Sequence, residues 1–200
     1  MKIRTIRSFQ KGHKIPEYIW DKIFEEVRFT PSSFDLQPWF FFVFESEFNK
    51  QKLKKCLIGN QEQLETSSAM VLLCGKLNKV DFSSKIYKNK LKNNEITMQQ
   101  KKNILNQIQK YYNSLDKNIF KNELFLEIGI ISLHFVLVSQ KFGYNCCYIG
   151  GCYFNKLNSL FQIPSEYQPI ILIAIGKKKK AKEDIKKKIK LKPEEFVKFL

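Results

Sequence analysis

The first candidate ligand-binding residues lie in a polar turn that precedes a predicted apolar strand. The stretch TPSSFDLQPWFFFVF, residues 30–44, starts with hydroxyl, carboxylate and amide side chains and ends in an uninterrupted apolar run. A plain connector needs only turn-forming residues. This one carries hydroxyls, backbone donors and an indole to the edge of a predicted strand, which favours a ligand-binding turn. The alternative is an ordinary turn beside a buried Trp39.

Two other segments lie beside predicted strands: one carries polar side chains, and the other is a pair of glycines with bare backbone. The polar segment NQEQLETSS, residues 60–68, leads into an apolar run, and Gly150 and Gly151 directly follow the run YNCCYI. Glycine lets the backbone approach a ligand closely because it has no Cβ. These segments are therefore further candidates for a binding site.

The cysteines favour neither a metal site nor a disulfide framework. They lie at 56, 74, 146, 147 and 152, with no C-x-x-C pair and with only two histidines in the chain. We therefore predict no metal, and we interpret the cysteines near residue 150 as small packing residues. The basic N-terminus has no apolar segment after it that would make a signal peptide. An odd cysteine count without one fits the reducing cytoplasm.

Apolar periodicity and turn residues predict the elements that position these segments. Five helices are expected: one from Pro16 that stops before Pro31, and others at about 48–57, 97–112, 120–142 and 154–161. Four buried strands are expected, at 40–44, 69–75, 144–149 and 169–176. Pro16 opens the first helix, and Thr97 with Gln100 forms a capping-box pattern. The lysine- and asparagine-rich segment 76–94 has weak periodicity and reads as a surface excursion.

This order predicts a single domain over residues 1–200 with helices on both sides of a central sheet. Strands that are apolar on both faces need helices on both sides. We therefore expect an α+β or α/β domain with a mixed sheet of four to five strands and a helical excursion at about 76–120. The charged C-terminal segment finishes with the apolar residues Phe196, Val197, Phe199 and Leu200. These residues predict that the tail docks on another surface.

The chain is strongly basic, with 35 Lys and Arg against 19 Asp and Glu and a net charge of +16. Such an excess can indicate a nucleic-acid or membrane-surface partner. Lysine spread over the chain and mixed with asparagine is equally typical of solvated surfaces, and we favour that interpretation. The most apolar window, 124–138, carries Glu127 and His134 and is short for a membrane span. It predicts a buried helix.

Four of these segments, in this order, resemble the FMN-dependent nitroreductase family. They are PSSFDLQPW after an amphipathic helix, NQEQLETSSAMVLL after the next helix, GYNCCYIGG after a long apolar helix, and the closing PIILIAIGK. The likeness extends from about residue 4 to residue 200. Within the family the chain most resembles the smaller bacterial oxidoreductases with a helical excursion between the second and third strands.

The resemblance implies a nitroreductase-like fold and a homodimer with two FMN sites at the subunit interface, the C-terminal tail docking on the partner subunit. Basic residues from both chain ends would hold the flavin phosphate, since a phosphate needs several cationic donors. The matching positions are Arg4, Thr5, Arg7, Lys188 and Lys190.

The remaining cofactor contacts implied by the resemblance come from the polar and glycine segments. The turn from one subunit would touch the isoalloxazine and ribityl groups of the flavin bound by the other, through Pro31, Ser32, Ser33, Asp35 and Gln37. Asn60 and Gln63 would lie near the ring and the ribityl chain. Gly150 and Gly151 would place bare backbone against the flavin, with an N–H directed at N5.

Two positions depart from the family pattern. Ile3 stands where an additional arginine is usual, and Asp35 stands where asparagine is common. The first removes a cation from the expected phosphate site, and the second adds a negative charge near the flavin. Both positions bear on the flavin affinity.

The implied activity is hydride transfer from NADH or NADPH, through flavin N5, to nitroaromatics, quinones or similar flat acceptors in a ping-pong cycle. The cofactor carries this chemistry, so no side chain is named as catalytic. Tyr111, Tyr112 and Phe120 are candidates for the acceptor pocket because aromatic rings stack on flat substrates. Helix packing is an equal alternative for all three residues.

Other functions remain open at the level of the sequence. The same scaffold could serve as a flavin or quinone reductase, or carry a ring-modifying dehydrogenase. A different class is a flavin-free binder of nucleic acid or of an anionic surface, using the lysines of 85–102, 177–180 and 186–188. A family member that has lost its cofactor is a third. The sequence decides neither the natural acceptor nor the choice between NADH and NADPH.

Overall fold

A computed structural model describes residues 3–179 and 189–200 of the chain. Its centre is a four-stranded sheet of β1 (Trp39–Phe44), β2 (Ala69–Lys76), β3 (Asn145–Ile149) and β4 (Tyr167–Gly176). The strand order is β1-β2-β4-β3, and each of the three pairings is antiparallel. The expected strands are confirmed, but the described sheet is antiparallel and not mixed. β2 and β3 run in the same direction, but β4 lies between them, so the two strands do not form a parallel pair.

The described residues form seven α-helices. They are α1 (Glu17–Val27), α2 (Glu47–Lys54), α3 (Gln61–Thr66), α4 (Asp81–Lys92), α5 (Met98–Ser114), α6 (Lys117–Lys141) and α7 (Leu157–Phe161). Three short 3₁₀ helices lie at Ser33–Asp35, Phe154–Lys156 and Pro193–Glu195. The capping box before α5 is confirmed: Gln100 N–H donates to Thr97 Oγ1, and Thr97 N–H donates to Gln100 Oε1.

The sequence did not predict α3 as a helix, and it placed α4 only within the helical excursion at about 76–120, without bounds of its own. α3 has six residues, of which only Gln63 and Leu64 are buried. α4 has twelve residues and buries Ser83 and Tyr87. Neither helix presents a continuous apolar stripe, because each packs through isolated side chains. Their apolar periodicity is therefore weak.

The sheet separates two hydrophobic cores, and a third cluster lies beyond it. On one face, side chains of β2 and β4 pack against Leu53, Leu64 and Leu157 from α2, α3 and α7. On the other face, β2 and β4 pack against α1 and α6. The third cluster joins Leu36, after the polar turn, to Tyr87 of α4 and to Ile108 and Tyr112 of α5. The excursion therefore packs on the polar turn.

Helix α6 is buried along one side and apolar on the other. It is capped by Asp116, whose Oδ1 accepts from Asn118 N–H, and it ends before Gly143, whose φ of +79° suits the left-handed residue after a helix. Leu126, Ile130 and Leu133 are exposed at helical spacing. By length and composition α6 could cross a membrane, but half of its most apolar window is buried inside the protein, as in the core helix of a soluble domain.

The described part of the C-terminal tail, 189–200, lies on the outside of the subunit. Its apolar side chains are nearly all strongly exposed: Ile189, Leu191, Phe196, Val197, Phe199 and Leu200. Phe199 is 94% exposed, which is unusual for an ordered phenylalanine. The expected docking of the tail on a partner subunit stays a prediction.

Candidate functional site

The N-terminal basic segment runs beside strand β3. Ile6 N–H donates to the Cys146 carbonyl at 3.2 Å, which fixes residues 4–7 along the outer edge of β3. Burial raises the pKa of the Cys147 thiol, while the charge of Arg7 and a hydrogen bond with Gln63 act against that rise. Arg7 and Gln63 therefore approach the same thiol. The structure thus brings two of the predicted cofactor positions to one place.

The same segment lies beside the chain that leaves β4. Phe9 pairs with Lys178 in an antiparallel bridge, and Gln10 N–H donates to the Lys177 carbonyl at 2.9 Å. Residues 8–10, which directly follow Arg7, therefore lie beside the start of the lysine-rich C-terminal segment. Lys188 lies outside the described residues, and Lys190 is exposed.

The loop before α3 packs against the chain that follows β3. Ile58 N–H donates to the Gly151 carbonyl at 2.8 Å, and Leu57 forms a bridge with Cys152. Asn60 adopts a left-handed conformation with φ of +59° and accepts a hydrogen bond from Gln63 Nε2 at 3.1 Å. These contacts place Asn60 and Gln63 beside the glycine pair.

The two glycines have different surroundings. A Cβ on Gly151 would lie 2.7 Å from the Ile58 carbonyl oxygen and 3.2 Å from Asn60 Nδ2, so any side chain there would clash with the loop before α3. A Cβ on Gly150 would meet nothing within 4 Å. Gly151 is therefore required by packing within the subunit. Packing within the subunit does not explain Gly150, whose bare backbone faces open space.

The polar turn before β1 is held in a strained conformation. Phe34, Asp35 and Gln37 have φ of +49°, +52° and +50°, a region that non-glycine residues enter at a cost on the order of 1 kcal/mol each. Hydrogen bonds from several elements hold it. Ser33 N–H donates to Glu127 Oε1 at 2.8 Å, and the Tyr87 hydroxyl donates to the Phe34 carbonyl at 2.8 Å. The turn is thus preformed.

Asp35 and Ser32 also have partners inside the subunit. Lys90 of α4 forms an ion pair with Asp35 Oδ2 at 2.6 Å, and Gln37 Nε2 donates to Asp35 Oδ1 at 3.0 Å. Ser32 Oγ accepts from the Gln37 N–H at 2.9 Å. The negative charge that distinguishes Asp35 from the common asparagine is therefore balanced by a lysine.

A buried ion cluster lies directly behind the turn. Lys79, whose side chain is fully buried, lies 2.6 Å from Glu123 Oε1 and 2.8 Å from Glu127 Oε2. The Tyr112 hydroxyl oxygen lies 2.8 Å from Glu123 Oε1 and 3.1 Å from Ser33 Oγ. We refer to these side chains, Lys79, Tyr112, Glu123 and Glu127, as the Lys79 cluster.

The two carboxylates of the cluster differ in their electrostatics. Burial raises the pKa of Glu127 above its ordinary value, and the hydrogen bond from Lys79 only partly offsets this. Burial also acts against ionisation of Glu123, but hydrogen bonds from Lys79 and Tyr112 outweigh it, so the pKa of Glu123 lies below its usual value. The cluster was missed in the sequence. Its only signal was a glutamate inside an apolar helix window.

The three aromatic candidates for the acceptor pocket take different places. Tyr112 and Phe120 line a cavity of about 460 Å³ together with Leu77, Asn78, Val80, Gln109, Asn113, Leu115 and Lys117. Tyr111 is 39% exposed, contacts the Phe34 ring and donates to Glu123 Oε2 at 3.3 Å. Two of the three therefore border a cavity that a small flat molecule could enter.

The predicted cofactor residues thus form two groups within one subunit. The first joins the N-terminal arginine segment, Asn60, Gln63 and the glycine pair. The second is the polar turn, which contacts α4, α5 and α6. Among the described residues, no group of three or more His, Cys, Asp and Glu side chains could hold a metal ion. The first group combines arginine side chains, the amides of Asn60 and Gln63, and the bare backbone of Gly150.

The sequence matches a known protein family over most of its length. The family model described as "Nitroreductase family" matches residues 1–177. The chain belongs to the nitroreductase family. The nitroreductase-like fold predicted from the four sequence segments is therefore confirmed.

Relatives of this nitroreductase-family chain cover nearly its whole length. It is 31% identical over 173 residues to "Putative NAD(P)H nitroreductase YodC" of Bacillus subtilis, covering 86% of this chain and 84% of the relative. It is 25% identical over 175 residues to "CLA biosynthesis enone reductase" of Lactiplantibacillus plantarum, covering 86% and 81%. A crystal structure from Exiguobacterium sibiricum, of "a putative nitroreductase in complex with FMN", superposes with a TM-score of 0.92 at 27% identity, covering 98% of this chain and 93% of that chain.

Proposed function

We propose that this nitroreductase-family chain is an FMN-dependent oxidoreductase that transfers hydride from NAD(P)H to nitroaromatic, quinone or similar flat acceptors by a ping-pong mechanism. One observation carries the proposal most directly. Gly150 exposes bare backbone next to Gly151, which packs against Ile58 and Asn60, although packing within the subunit does not need a glycine at position 150. A flat cofactor lying on that backbone supplies the reason, and the FMN in the Exiguobacterium structure supports this identity.

The residues of the first group fit the polar parts of FMN. Arg4 and Arg7, with the lysines that follow β4, would hold the phosphate, because several cationic donors are needed to neutralise it. Asn60 and Gln63 would offer amide donors and acceptors to the ribityl chain and the ring. Bound FMN would supply hydride transfer between NAD(P)H and the acceptor. The protein residues bind and orient the cofactor, and we assign no side chain as a general acid or base.

We further propose that the functional unit is a homodimer in which each subunit contributes a different group to each site. The polar turn is preformed by its own subunit, but its described contacts are with α4, α5 and α6 and not with the first group. A second subunit would bring the turn to that group. The exposed stripe Leu126, Ile130 and Leu133 on α6 and the apolar tail supply the surface for such an association.

The acceptor cavity leaves a second candidate function on the same scaffold. The relative named an enone reductase supports reduction of an activated carbon–carbon double bond as an alternative to nitro or quinone reduction. A cavity lined by Tyr112 and Phe120 would stack with either type of flat acceptor. A panel of nitroaromatics, quinones, free flavins and enones would separate these activities by their kcat/KM values.

The first experiment is a visible absorption spectrum of the purified protein before and after anaerobic addition of NADH or NADPH. We expect an oxidised-flavin spectrum that bleaches with a nicotinamide and returns with a nitroaromatic or a quinone. A colourless protein that takes up no added FMN would overturn the proposal. In that case, steeply salt-dependent binding of DNA or RNA would identify a basic binding protein instead.

A further inference from the structure

The Lys79 cluster places a fully buried cation behind the polar turn. Lys79 is 0% exposed and makes ion pairs with two carboxylates of α6, while its ammonium lies 4.8 Å from the centroid of the Tyr112 ring. Breaking a buried pair by removing one partner is strongly unfavourable, since it leaves an uncompensated charge. The positions of Glu123 and Glu127 therefore depend on Lys79.

Ser33 is held by this cluster at two atoms. Its backbone N–H donates to Glu127 Oε1 at 2.8 Å, and its hydroxyl lies 3.1 Å from the Tyr112 hydroxyl. The phenol carries one proton and the Glu123 carboxylate only accepts, so Tyr112 donates to Glu123 and can accept from Ser33. Both bonds place Ser33 relative to helices α5 and α6.

The turn requires such external restraints. Three of the residues that follow Ser33 are in the left-handed region, which is unfavourable for non-glycine residues. The strained conformation persists only where the surroundings determine it. Within the turn, the bond from the Gln37 N–H to Ser32 Oγ is local, whereas the contacts to Glu127, Tyr87 and Lys90 come from the excursion and α6.

We propose that Lys79 is a positioning residue for the flavin site: through Glu123 and Glu127 it fixes Ser33 so that the polar turn reaches the flavin bound by the partner subunit. This inference rests on the proposed function. It assigns to the Lys79 cluster a role in flavin affinity beyond subunit stability. Because the Tyr112 ring also lines the cavity, the cluster links the acceptor cavity to the flavin-binding turn.

A second buried lysine provides the matched control. Lys50 is 3% exposed, forms an ion pair with Glu47 at 3.1 Å and donates to the Ser67 carbonyl at 3.1 Å. Those contacts join α2 to the start of β2 and do not involve the turn. A purely structural role predicts that loss of either buried lysine lowers stability without a specific effect on the flavin.

The test is the dissociation constant of FMN for apoprotein, measured by quenching of flavin fluorescence, with thermal unfolding in parallel. We expect Lys79→Met to raise the Kd roughly tenfold, which corresponds to about 1.4 kcal/mol. Tyr112→Phe keeps the ring and removes the hydroxyl, so a smaller rise is expected. Lys50→Met is expected to leave the Kd within about twofold of the wild-type value, even if its melting temperature falls as much as that of Lys79→Met.

Each result bears on the inference. Equal Kd values for Lys79→Met, Lys50→Met and wild type would show that the cluster is structural only. If Lys79→Met does not fold, Glu127→Gln removes one of the two ion pairs of Lys79 while keeping a carbonyl acceptor for the Ser33 N–H. Unchanged Kd values for Glu127→Gln and Tyr112→Phe would then overturn the inference. Wild-type apoprotein that binds no FMN would instead overturn the proposed function, and the positioning role with it.

Discussion

Lys90 Nζ of α4 lies 2.6 Å from Asp35 Oδ2, so the only carboxylate of the 31–37 turn is paired with a cation from the excursion. The hydrogen bond with Asp35 raises the pKa of Lys90 above its ordinary value, which keeps the lysine charged. The pair is partly exposed, and its contribution to stability is therefore small. The pair matters for the charge near the proposed flavin site, because Lys90 balances the Asp35 carboxylate of the turn.

Removal of Lys90 is expected to lower the midpoint potential of bound flavin. Lys90→Met leaves the Asp35 charge unpaired, and a nearby anion disfavours a reduced flavin that carries negative charge. An interaction on the order of 1 kcal/mol corresponds to about 20 mV for a two-electron couple. Potentiometric titration would measure this shift. Asp35→Asn should move the potential in the opposite direction, and equal potentials in all three proteins would contradict the argument.

The two neighbouring glycines should respond differently to alanine. Gly150→Ala meets no neighbour within the subunit, so we expect an unchanged melting temperature together with weaker FMN binding. Gly151→Ala would force its methyl group against the Ile58 carbonyl oxygen, and overpacking of this kind destabilises by about 1–3 kcal/mol. Thermal unfolding and FMN titration of both variants test this. Full FMN affinity in Gly150→Ala would remove the main support for the placement of the flavin.

Glu127 predicts a characteristic dependence of stability on pH. Its pKa is raised by burial, so the folded protein binds this proton more tightly than the unfolded chain does. The free energy of unfolding therefore loses this contribution as pH rises from the ordinary carboxyl range, near about 4, through the raised pKa.

Glu127→Gln has no such proton to bind. We expect the stability of the wild type relative to Glu127→Gln to fall with rising pH, as measured by urea unfolding at a series of pH values. A difference that stayed constant, or that grew with pH, would show that the Glu127 carboxyl is not penalised by its burial.

The five cysteines should be unreactive in the native protein. All are buried and free, and burial raises the pKa of Cys74 and of Cys146 to about 12 and that of Cys152 to about 11. Thiols in this state are protonated at pH 8, and only the thiolate attacks a disulfide reagent. Ellman's reagent should therefore react slowly with native protein and titrate five thiols after unfolding in guanidinium. Rapid native labelling of one cysteine would contradict its burial.

Much of the architecture follows from local patterns in the sequence. The runs at 69–75 and 169–176 are apolar on every residue or nearly so, and they form the two central strands, β2 and β4. Thr97 and Gln100 form the expected capping box at the start of α5. These signals are strong because each depends on residues close together in the chain. A capping box depends on the first turn of its helix, and a strand that is buried on both faces is recognised by its own apolar composition.

Local patterns failed where the determining contacts are distant. α4 packs through few side chains, so its sequence resembles solvated surface. The antiparallel pairing of β2 with β4 joins residues as far apart in the chain as Ala69 and Ile175. The expectation of a mixed sheet was wrong because the order of helices and strands along the chain does not reveal the order of strands in the sheet. Here β4 lies between β2 and β3, and each pairing is antiparallel.

By itself, the sequence determined the family, the central strands, the long helix and the segments proposed to bind FMN. Only the tertiary structure decided that these segments form two separate groups within a subunit, and that Gly151 serves packing while Gly150 faces open space. It alone showed Lys79 to be buried between Glu123 and Glu127. The physical reason is that the Lys79 neighbourhood is polar in sequence, and Lys79 is buried because the turn before α4 packs against α6, more than forty residues further along the chain.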